Sequence, residues 1–221
     1  MKKTLLSWSS GKDSAYALHT VLRERRFEVV GLLTTVTDPF QRVSMHGVRE
    51  ELLDRQAEAV GLPLIKIRIP SPCPNILYEE TMSEVLKVWK GKGVSHVIFG
   101  DLFLEDLRKY REEKLSLLGM EGVFPIWQKN TRPLAETMIR EGFRAVLTCV
   151  DPRKLPKDFA GRRFDESLLR DFPPGIDPCG ENGEFHSFLY DGPIFSRPIG
   201  IRPGEIVERD GFVFADFLPE S

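Results

Sequence analysis

The chain has 221 residues, enough for an α/β domain with an appended second part, and its 41% hydrophobic and 29% charged residues are ordinary for a globular protein. A net charge of −2 gives no global attraction to nucleic acid or to an anionic membrane. No apolar run approaches the ~20 residues of a membrane span, and no signal-peptide pattern follows Met1-Lys2-Lys3, so we expect a cytoplasmic protein without a membrane partner.

Short apolar runs alternate with helical patterns through the first two-thirds of the chain. The runs at residues 4–8, 29–36, 64–69, 94–100 and 145–150 are predicted strands. They are largely apolar throughout, as in strands covered on both faces of a parallel sheet. Residues 1–150 are therefore predicted to form an α/β domain with a doubly wound, parallel, five-stranded sheet.

The pattern changes after about residue 150, where proline and glycine become frequent. Short strands are predicted at residues 185–190, 205–209 and 212–217, separated by turns such as Asp210-Gly211. We expect residues 151–221 to form a smaller α+β part that binds the substrate.

The sequence SWSSGKDS at residues 7–14 lies where the first predicted strand ends and a helix begins. Ligands of doubly wound sheets bind at this edge, and the free N–H groups of a helix start favour an anion. Lys12 adds a positive charge, Gly11 permits close approach of a ligand, and hydroxyl donors come from Ser9, Ser10 and Ser14. The alternative is that a serine only caps the helix and Lys12 pairs with Asp13 in solvent.

Residues 9–14, S-S-G-K-D-S, resemble the S-G-G-x-D-[ST] pyrophosphate loop (PP-loop) of ATP pyrophosphatases. The resemblance implies a HUP/Rossmann-like fold, ATP bound through residues 9–14, and catalytic roles for Lys12 and Asp13. Ser10 stands in place of the first glycine of that loop. It can supply its N–H as the glycine does only if its backbone avoids positive φ.

A second polar segment, GDLFLEDLRKYRE at residues 100–112, follows a predicted strand at the same edge of the sheet. Gly100 and Asp101 are predicted to contact the nucleotide, with Asp101 as a candidate ligand of Mg²⁺. Arg108 or Arg111 is expected to neutralise phosphate. The alternative is an exposed charged helix with i,i+4 ion pairs.

A third segment, DPCGENGEFHSF at residues 177–188, has more donors and acceptors than a turn needs, although a solvated glycine-rich turn is an alternative. Together with residues 9–14, G-E-N-G-E-F resembles the diphthine–ammonia ligase family of ATP pyrophosphatases. Asn182 and His186 depart from the G-E-G-G-E-F-E-T form of that family, which indicates a sister branch.

The resemblance implies an ATP-dependent ligase that adenylates a carboxylate, releases AMP and pyrophosphate, and transfers ammonia. It places the base near Thr34 and gives Glu184 or His186 a catalytic proton-transfer role. The implied substrate residues are Arg108, Glu181, Asn182, Glu184, Phe185 and His186.

The expected cofactors are ATP and Mg²⁺, and the partners are ammonia and a carboxylate on a small molecule or a protein side chain. Free ammonium or a glutaminase partner would supply the nitrogen. A tRNA-modifying enzyme and a non-catalytic adenine-nucleotide-binding protein are the alternative functions. A homodimer and the role of His46 are left open, and nothing indicates a nucleic-acid partner.

Overall fold

The structure, a computed structural model, describes residues 1–38 and 40–220. The chain begins with alternating strands and helices. In order these are β1 (Lys2–Ser7), α1 (Lys12–Glu24), β2 (Phe27–Thr37), β3 (Arg42–Val43), α2 (Glu50–Val60), β4 (Leu64–Ile69), α3 (Asn75–Gly91), β5 (His96–Ile98), α4 (Glu105–Ser116) and β6 (Glu121–Val123). Among the helices of the described residues, none is long and apolar enough to cross a membrane.

These strands form one mainly parallel sheet, which confirms the doubly wound architecture. The parallel strands lie in the order β4-β2-β1-β5-β6, and the short strand β3 pairs antiparallel with the end of β2. The chain passes from β1 to β2 on one side, and α3 brings it back to β5 on the other side of β1. The strand order therefore reverses between β1 and β5, where sheets of this kind bind ligands.

The rest of the chain contains a second, antiparallel sheet and two helices. In order these elements are α5 (Thr131–Arg140), β7 (Arg144–Val150), α6 (Glu166–Asp171), β8 (Phe185–Asp191), β9 (Ile201–Arg209) and β10 (Phe212–Pro219). The strands lie in the order β8-β7-β10-β9.

The prediction that residues 145–150 belong to the parallel sheet was wrong. Strand β7 pairs antiparallel with β8 and with β10. All of its residues after Arg144 are buried, and an apolar run covered on both faces looks the same in either kind of sheet. The fifth parallel strand is β6, which has only three residues, one of them Gly122, and so lacks an apolar run.

One apolar core joins the two sheets. Leu6 of β1 and Leu18 of α1 belong to the same buried cluster as Phe188 of β8 and Val213 of β10. Each large side chain that is fully buried in this way contributes about 1.5–3 kcal/mol to folding. The antiparallel sheet therefore packs on the parallel sheet through shared apolar surface.

Gln56 of α2 adds polar links at the same junction. It is fully buried, its Nε2 donates to the carbonyls of Ser10 (2.9 Å) and Leu189 (2.6 Å), and its Oε1 accepts from Trp8 Nε1 (2.9 Å). The N–H of Leu189 also donates to the Ser10 carbonyl. The backbone just before α1 is thus held by a strand of the antiparallel sheet.

Candidate active site

The phosphate loop (residues 9–14) connects β1 to α1. Gly11 is the residue before the helix, with φ −90° and ψ 172°, and it offers no side chain to cap the first N–H groups. The Ser14 hydroxyl donates to the Gly11 carbonyl and lies 3.1 Å from the Ser9 hydroxyl. The N–H of Lys12 donates to the Ser187 hydroxyl, and a helix start whose N-cap residue has no side chain is otherwise open to an anion.

Ser10 does not meet the condition set for it from the sequence, because its φ is +69°. A left-handed conformation costs a serine about 1–2 kcal/mol, since its Cβ crowds the backbone. The two hydrogen bonds to its carbonyl, from Leu189 and Gln56, hold it there. Its hydroxyl is buried and finds no hydrogen-bond partner within the described residues. The loop therefore keeps a conformation that glycine would adopt without strain.

Lys12, at the start of α1, is buried and remains charged. Its Nζ contacts both carboxylate oxygens of Asp13, at 2.9 and 3.1 Å, and donates to the Cys179 carbonyl at 2.5 Å. It also lies 5.2 Å from the ring centroids of Phe164 and Phe185. Burial lowers the pKa of Lys12, but Asp13 and its other neighbours outweigh burial and raise it.

Gly100 and Asp101 follow β5 beside the phosphate loop. A Cβ on Gly100 would lie 2.8 Å from backbone atoms of Asp13 and Ser14, so only glycine fits here without displacing the loop. Burial raises the pKa of the Asp101 carboxyl, although Arg111 opposes that change through a 2.7 Å ion pair. Arg111 thus holds the carboxylate at the edge of the sheet.

The acidic loop (residues 177–187) lies opposite these residues and carries Glu181. One carboxylate oxygen of Glu181 accepts from the N–H of Leu102 at 2.7 Å and of Phe103 at 3.4 Å. Burial raises the pKa of Glu181 to about 7, and the nearby charges of Asp13 and Asp101 act in the same direction. Glu181 is therefore close to half-ionised at neutral pH.

The phosphate loop and the acidic loop enclose one pocket of about 290 Å³. It brings together most of the residues predicted from the sequence. Those that line it are Ser9, Lys12, Asp13, Ser14, Gly100, Asp101, Glu181, Phe185 and His186.

Three predicted residues point their functional groups elsewhere. The Thr34 hydroxyl is buried and donates to the Trp8 carbonyl at 2.7 Å. The Arg108 guanidinium pairs with Glu112 and stacks near the rings of Phe124 and Trp127. The Asn182 side chain is exposed. None of these three residues lines the pocket.

Glu184 is also absent from the pocket lining. It is buried, and one of its oxygens accepts from the N–H of Asp177 at 3.0 Å and from the Asn182 side chain at 3.2 Å. The geometry assigns Glu184 to the internal bonding of the acidic loop. Ser10 and Gly11 likewise form the backbone beneath the pocket, without lining it.

The sequence reading missed other residues of the pocket or left them open. The sequence offers Arg111 only as an alternative to Arg108 and leaves the role of His46 open. It does not point to the Ser187 hydroxyl, which accepts from the N–H of Lys12 at 3.3 Å. The Met45-His46-Gly47 segment gave a weak signal, because binding residues are often on loops. Ser187 gave none.

A larger cavity of about 500 Å³ adjoins the pocket between α3, α4 and the sheet. The two share Ser7, Phe99 and Arg111. The larger one is mainly apolar, with Leu33 of β2 and Met82 of α3 in its wall. Its size and mainly apolar lining suit a small organic group.

The described residues contain no group of three or more His, Cys, Asp or Glu side chains that could hold a metal ion. Asp101, the candidate magnesium ligand, is engaged with Arg111. A magnesium site built from protein side chains alone does not fit this pocket.

Comparison with known proteins gives consistent results along the chain. The family model described as the diphthamide synthase N-terminal domain matches residues 1–121, and the diphthamide synthase C-terminal domain matches residues 130–214. The chain is 27% identical to a diphthine–ammonia ligase of Bos taurus and 26% identical to one of Homo sapiens, each alignment covering 94% of this chain and 85% of the relative. A diphthine–ammonia ligase of Schizosaccharomyces pombe is 26% identical over 91% of this chain and 36% of its own length. The chain belongs to the diphthamide synthase family.

Proposed function

We propose that this protein is an ATP-dependent ligase that converts a carboxylate to an amide, with release of AMP and pyrophosphate. One observation carries the proposal: the phosphate loop and the acidic loop, which lie far apart in sequence, form a single pocket. The family and the names of the relatives support a carbon–nitrogen ligase of the diphthine–ammonia ligase type.

In this proposal the nucleotide spans both cavities. Its phosphates bind at the N-terminus of α1, next to Lys12, and its adenine enters the larger cavity against Leu33 and Phe99. Arg111 lines both cavities and is the cation suited to phosphate, in place of Arg108. The base contact assigned to Thr34 passes to Leu33, because the Thr34 hydroxyl is already bonded.

The first chemical step joins a carboxylate oxygen to the α-phosphorus and breaks the bond from that phosphorus to the bridging oxygen. Pyrophosphate leaves, and Lys12 stabilises the negative charge that builds on it. Ammonia then attacks the carbonyl carbon of the acyl adenylate, AMP leaves, and the nitrogen loses a proton. Magnesium held by protein side chains alone has no part in these steps, because such a site does not fit the pocket of the described residues.

The proton of the attacking nitrogen passes to Glu181 in this proposal. Of the two glutamates of the acidic loop, Glu181 lines the pocket, whereas Glu184 is bonded within the loop. One oxygen of Glu181 is fixed by the N–H of Leu102, which orients the carboxylate. A pKa of about 7 is close to the value that suits a general base at neutral pH.

The acceptor carboxylate belongs to a small molecule or a protein side chain, and the nitrogen comes from free ammonium or a glutaminase partner. Because Asn182 and His186 differ from the motif of the diphthine-specific form, we place the chain in a sister branch whose acceptor need not be diphthine. No feature of the pocket favours tRNA modification. Ser10 adopts the left-handed conformation that a glycine would adopt without strain, so its place in the loop does not by itself favour the non-catalytic alternative.

The test is incubation with ATP labelled at the α-phosphate, ammonium, and a panel of carboxylate metabolites and diphthine-bearing protein. The expected products with the right acceptor are labelled AMP, pyrophosphate and an amide in equal amounts. Arg111→Ala should weaken ATP binding about tenfold through loss of one charge-assisted contact. Arg108→Ala is the matched control and should leave binding unchanged. Formation of ADP and phosphate with the active acceptor would refute the proposal.

A further inference from the structure

Two histidines from distant parts of the sequence pack against each other beside the phosphate loop. The ring centroids of His46 and His186 lie 4.5 Å apart, with 36° between the ring planes, and both residues line the pocket. The His46 ring also packs on Gly11, where an added Cβ would lie 3.2 Å from its Cε1. The imidazole pair (His46 and His186) therefore stands at the N-terminus of α1.

The surroundings keep the imidazole pair neutral. Burial lowers the pKa of His46 well below its usual range; His186 and Lys12 lower it further, and a hydrogen bond to the Ser187 carbonyl opposes them. Burial, with a smaller effect of Lys12, lowers the pKa of His186 to about 4. The positive end of the α1 dipole acts in the same direction.

The protonation of one ring follows from its hydrogen bond. Nδ1 of His46 lies 3.2 Å from the Ser187 carbonyl oxygen, which can only accept, so Nδ1 carries the proton. Nε2 of the neutral His46 ring is then an acceptor. A phosphate oxygen is also an acceptor, so the two atoms repel unless Nε2 gains a proton.

The other charged groups of the pocket are largely matched. Lys12 pairs with Asp13, and Arg111 pairs with Asp101. Within the described residues Glu181 has no cationic partner, and its oxygen is held by the N–H of Leu102 instead. A bound phosphate chain would add several negative charges to this pocket. Glu181, with a pKa of about 7, can take up only the fraction of a proton that it lacks at neutral pH, so the two neutral imidazoles are the groups able to take up whole protons.

We propose that the imidazole pair takes up protons when a phosphate chain binds and then donates hydrogen bonds to the phosphate oxygens. This inference rests on the proposed function only in taking the phosphate loop as the nucleotide site. It gives His46 and His186 a role in binding that is separate from proton transfer to Glu181. Nucleotide affinity should then fall with rising pH, by up to about tenfold per pH unit for each proton taken up.

The experiment is calorimetric titration of the full chain with α,β-methylene-ATP, which resists cleavage between the α- and β-phosphates, at saturating Mg²⁺. Titrations at pH 7 in buffers of different ionisation enthalpy give the number of protons taken up. We expect between one and two in the unmodified protein. Imidazole nitrogen NMR should show His46 and His186 neutral in the free protein and cationic in the complex, a result that needs no variant.

The double variant His46→Asn/His186→Asn should bind the analogue with only the fraction of a proton that Glu181 takes up, whereas His19→Gln, in α1 outside the pocket, should retain the full uptake. Neutral imidazoles in the complex, or full uptake in the double variant, would overturn the inference and leave the ligase proposal intact. Absence of any nucleotide binding would instead overturn both.

Discussion

The phosphate loop and the acidic loop line one pocket but are stabilised in different ways. The phosphate loop takes its shape from backbone contacts, because the Ser10 carbonyl accepts two hydrogen bonds and Gly100 packs directly on the following residues. The acidic loop takes its shape from carboxylates. Glu184 accepts from the N–H of Asp177, and Asp177 accepts from the N–H of Glu181 at 2.8 Å.

This difference separates two kinds of substitution. In the phosphate loop, a change of backbone geometry should impair ligand binding even where no functional group is lost. In the acidic loop, loss of one carboxylate should change either the chemistry or the local fold, depending on which glutamate is replaced. Four substitutions test this contrast, from the largest expected effect to the smallest.

Lys12→Met should have the largest effect because it removes the charge that faces the leaving pyrophosphate in the proposed mechanism. We expect AMP formation to fall by about 10²–10³-fold, as on loss of one transition-state donor. Stability should also fall by about 3 kcal/mol, since the largely buried Asp13 loses its partner. The double variant Lys12→Met/Asp13→Asn should recover much of the stability, measured by urea unfolding, but none of the activity. An unchanged rate in Lys12→Met would remove this lysine from the mechanism.

Glu181→Gln should reduce kcat by about 10²-fold without loss of nucleotide affinity, because it removes the proposed proton acceptor. In the unmodified protein kcat should rise with pH and level off above about pH 7, as Glu181 loses its proton. Glu184→Gln is the matched control and should lower stability without moving that pH profile. A Glu181→Gln enzyme with the unmodified pH profile would contradict the assignment.

The same carboxyl gives a stability prediction. Its pKa in the folded protein, about 7, lies above its ordinary value of 4.5. Its contribution to stability is therefore fully present below about pH 4.5 and is lost as the pH rises through about 7. In Glu181→Gln the loss of stability across this range should be smaller, as measured by urea unfolding at several pH values.

Gly100→Ala should displace the phosphate loop, since the new Cβ would lie 2.8 Å from backbone atoms of Asp13 and Ser14. We expect about 1–3 kcal/mol of destabilisation and a roughly tenfold weaker binding of ATP. Gly91→Ala in α3 is the matched control, because an added Cβ there meets no atom within 4 Å. Equal behaviour of the two variants would show that close packing at Gly100 does not shape the loop.

Ser10→Gly should have the smallest effect. Glycine relieves the left-handed strain and removes the unpaired hydroxyl. It also gives the unfolded chain more conformational entropy, which lowers stability by about 0.4–1 kcal/mol. We expect a net stabilisation of about 1 kcal/mol or less, with the AMP-forming rate retained. A large loss of activity would mean that the serine hydroxyl contacts the ligand.

Much of the phosphate loop was predictable because its signal is local. A strand end, a glycine and a helix start within eight residues specify the backbone arrangement, and Lys12, Asp13 and Ser14 all line the pocket. The conformation of Ser10 was not predictable. It depends on hydrogen bonds from Leu189 and Gln56, which are remote in sequence.

The choice between Arg108 and Arg111 could not be made from sequence. The two residues are three positions apart on α4, so they point in directions that differ by about 60° around the helix. Arg108 stacks near Phe124 and Trp127, while Arg111 reaches Asp101. Which direction faces the pocket depends on how α4 packs, and its charged sequence shows no clear apolar face. The same problem affects Glu181 and Glu184, because an irregular loop has no periodicity.

Gln56 makes the two sheets of this protein depend on each other. Its side-chain amide connects Trp8 and Ser10 on one side of the junction with Leu189 on the other, without contact with the solvent. A fragment that ends before β7 would remove one of the three hydrogen bonds of this amide and leave Ser10 without the support of Leu189. The parallel-sheet part, which carries the phosphate loop, is therefore not an independent module. Transferred to another protein, it would keep the loop sequence but lose the contact with Leu189 that holds the loop conformation.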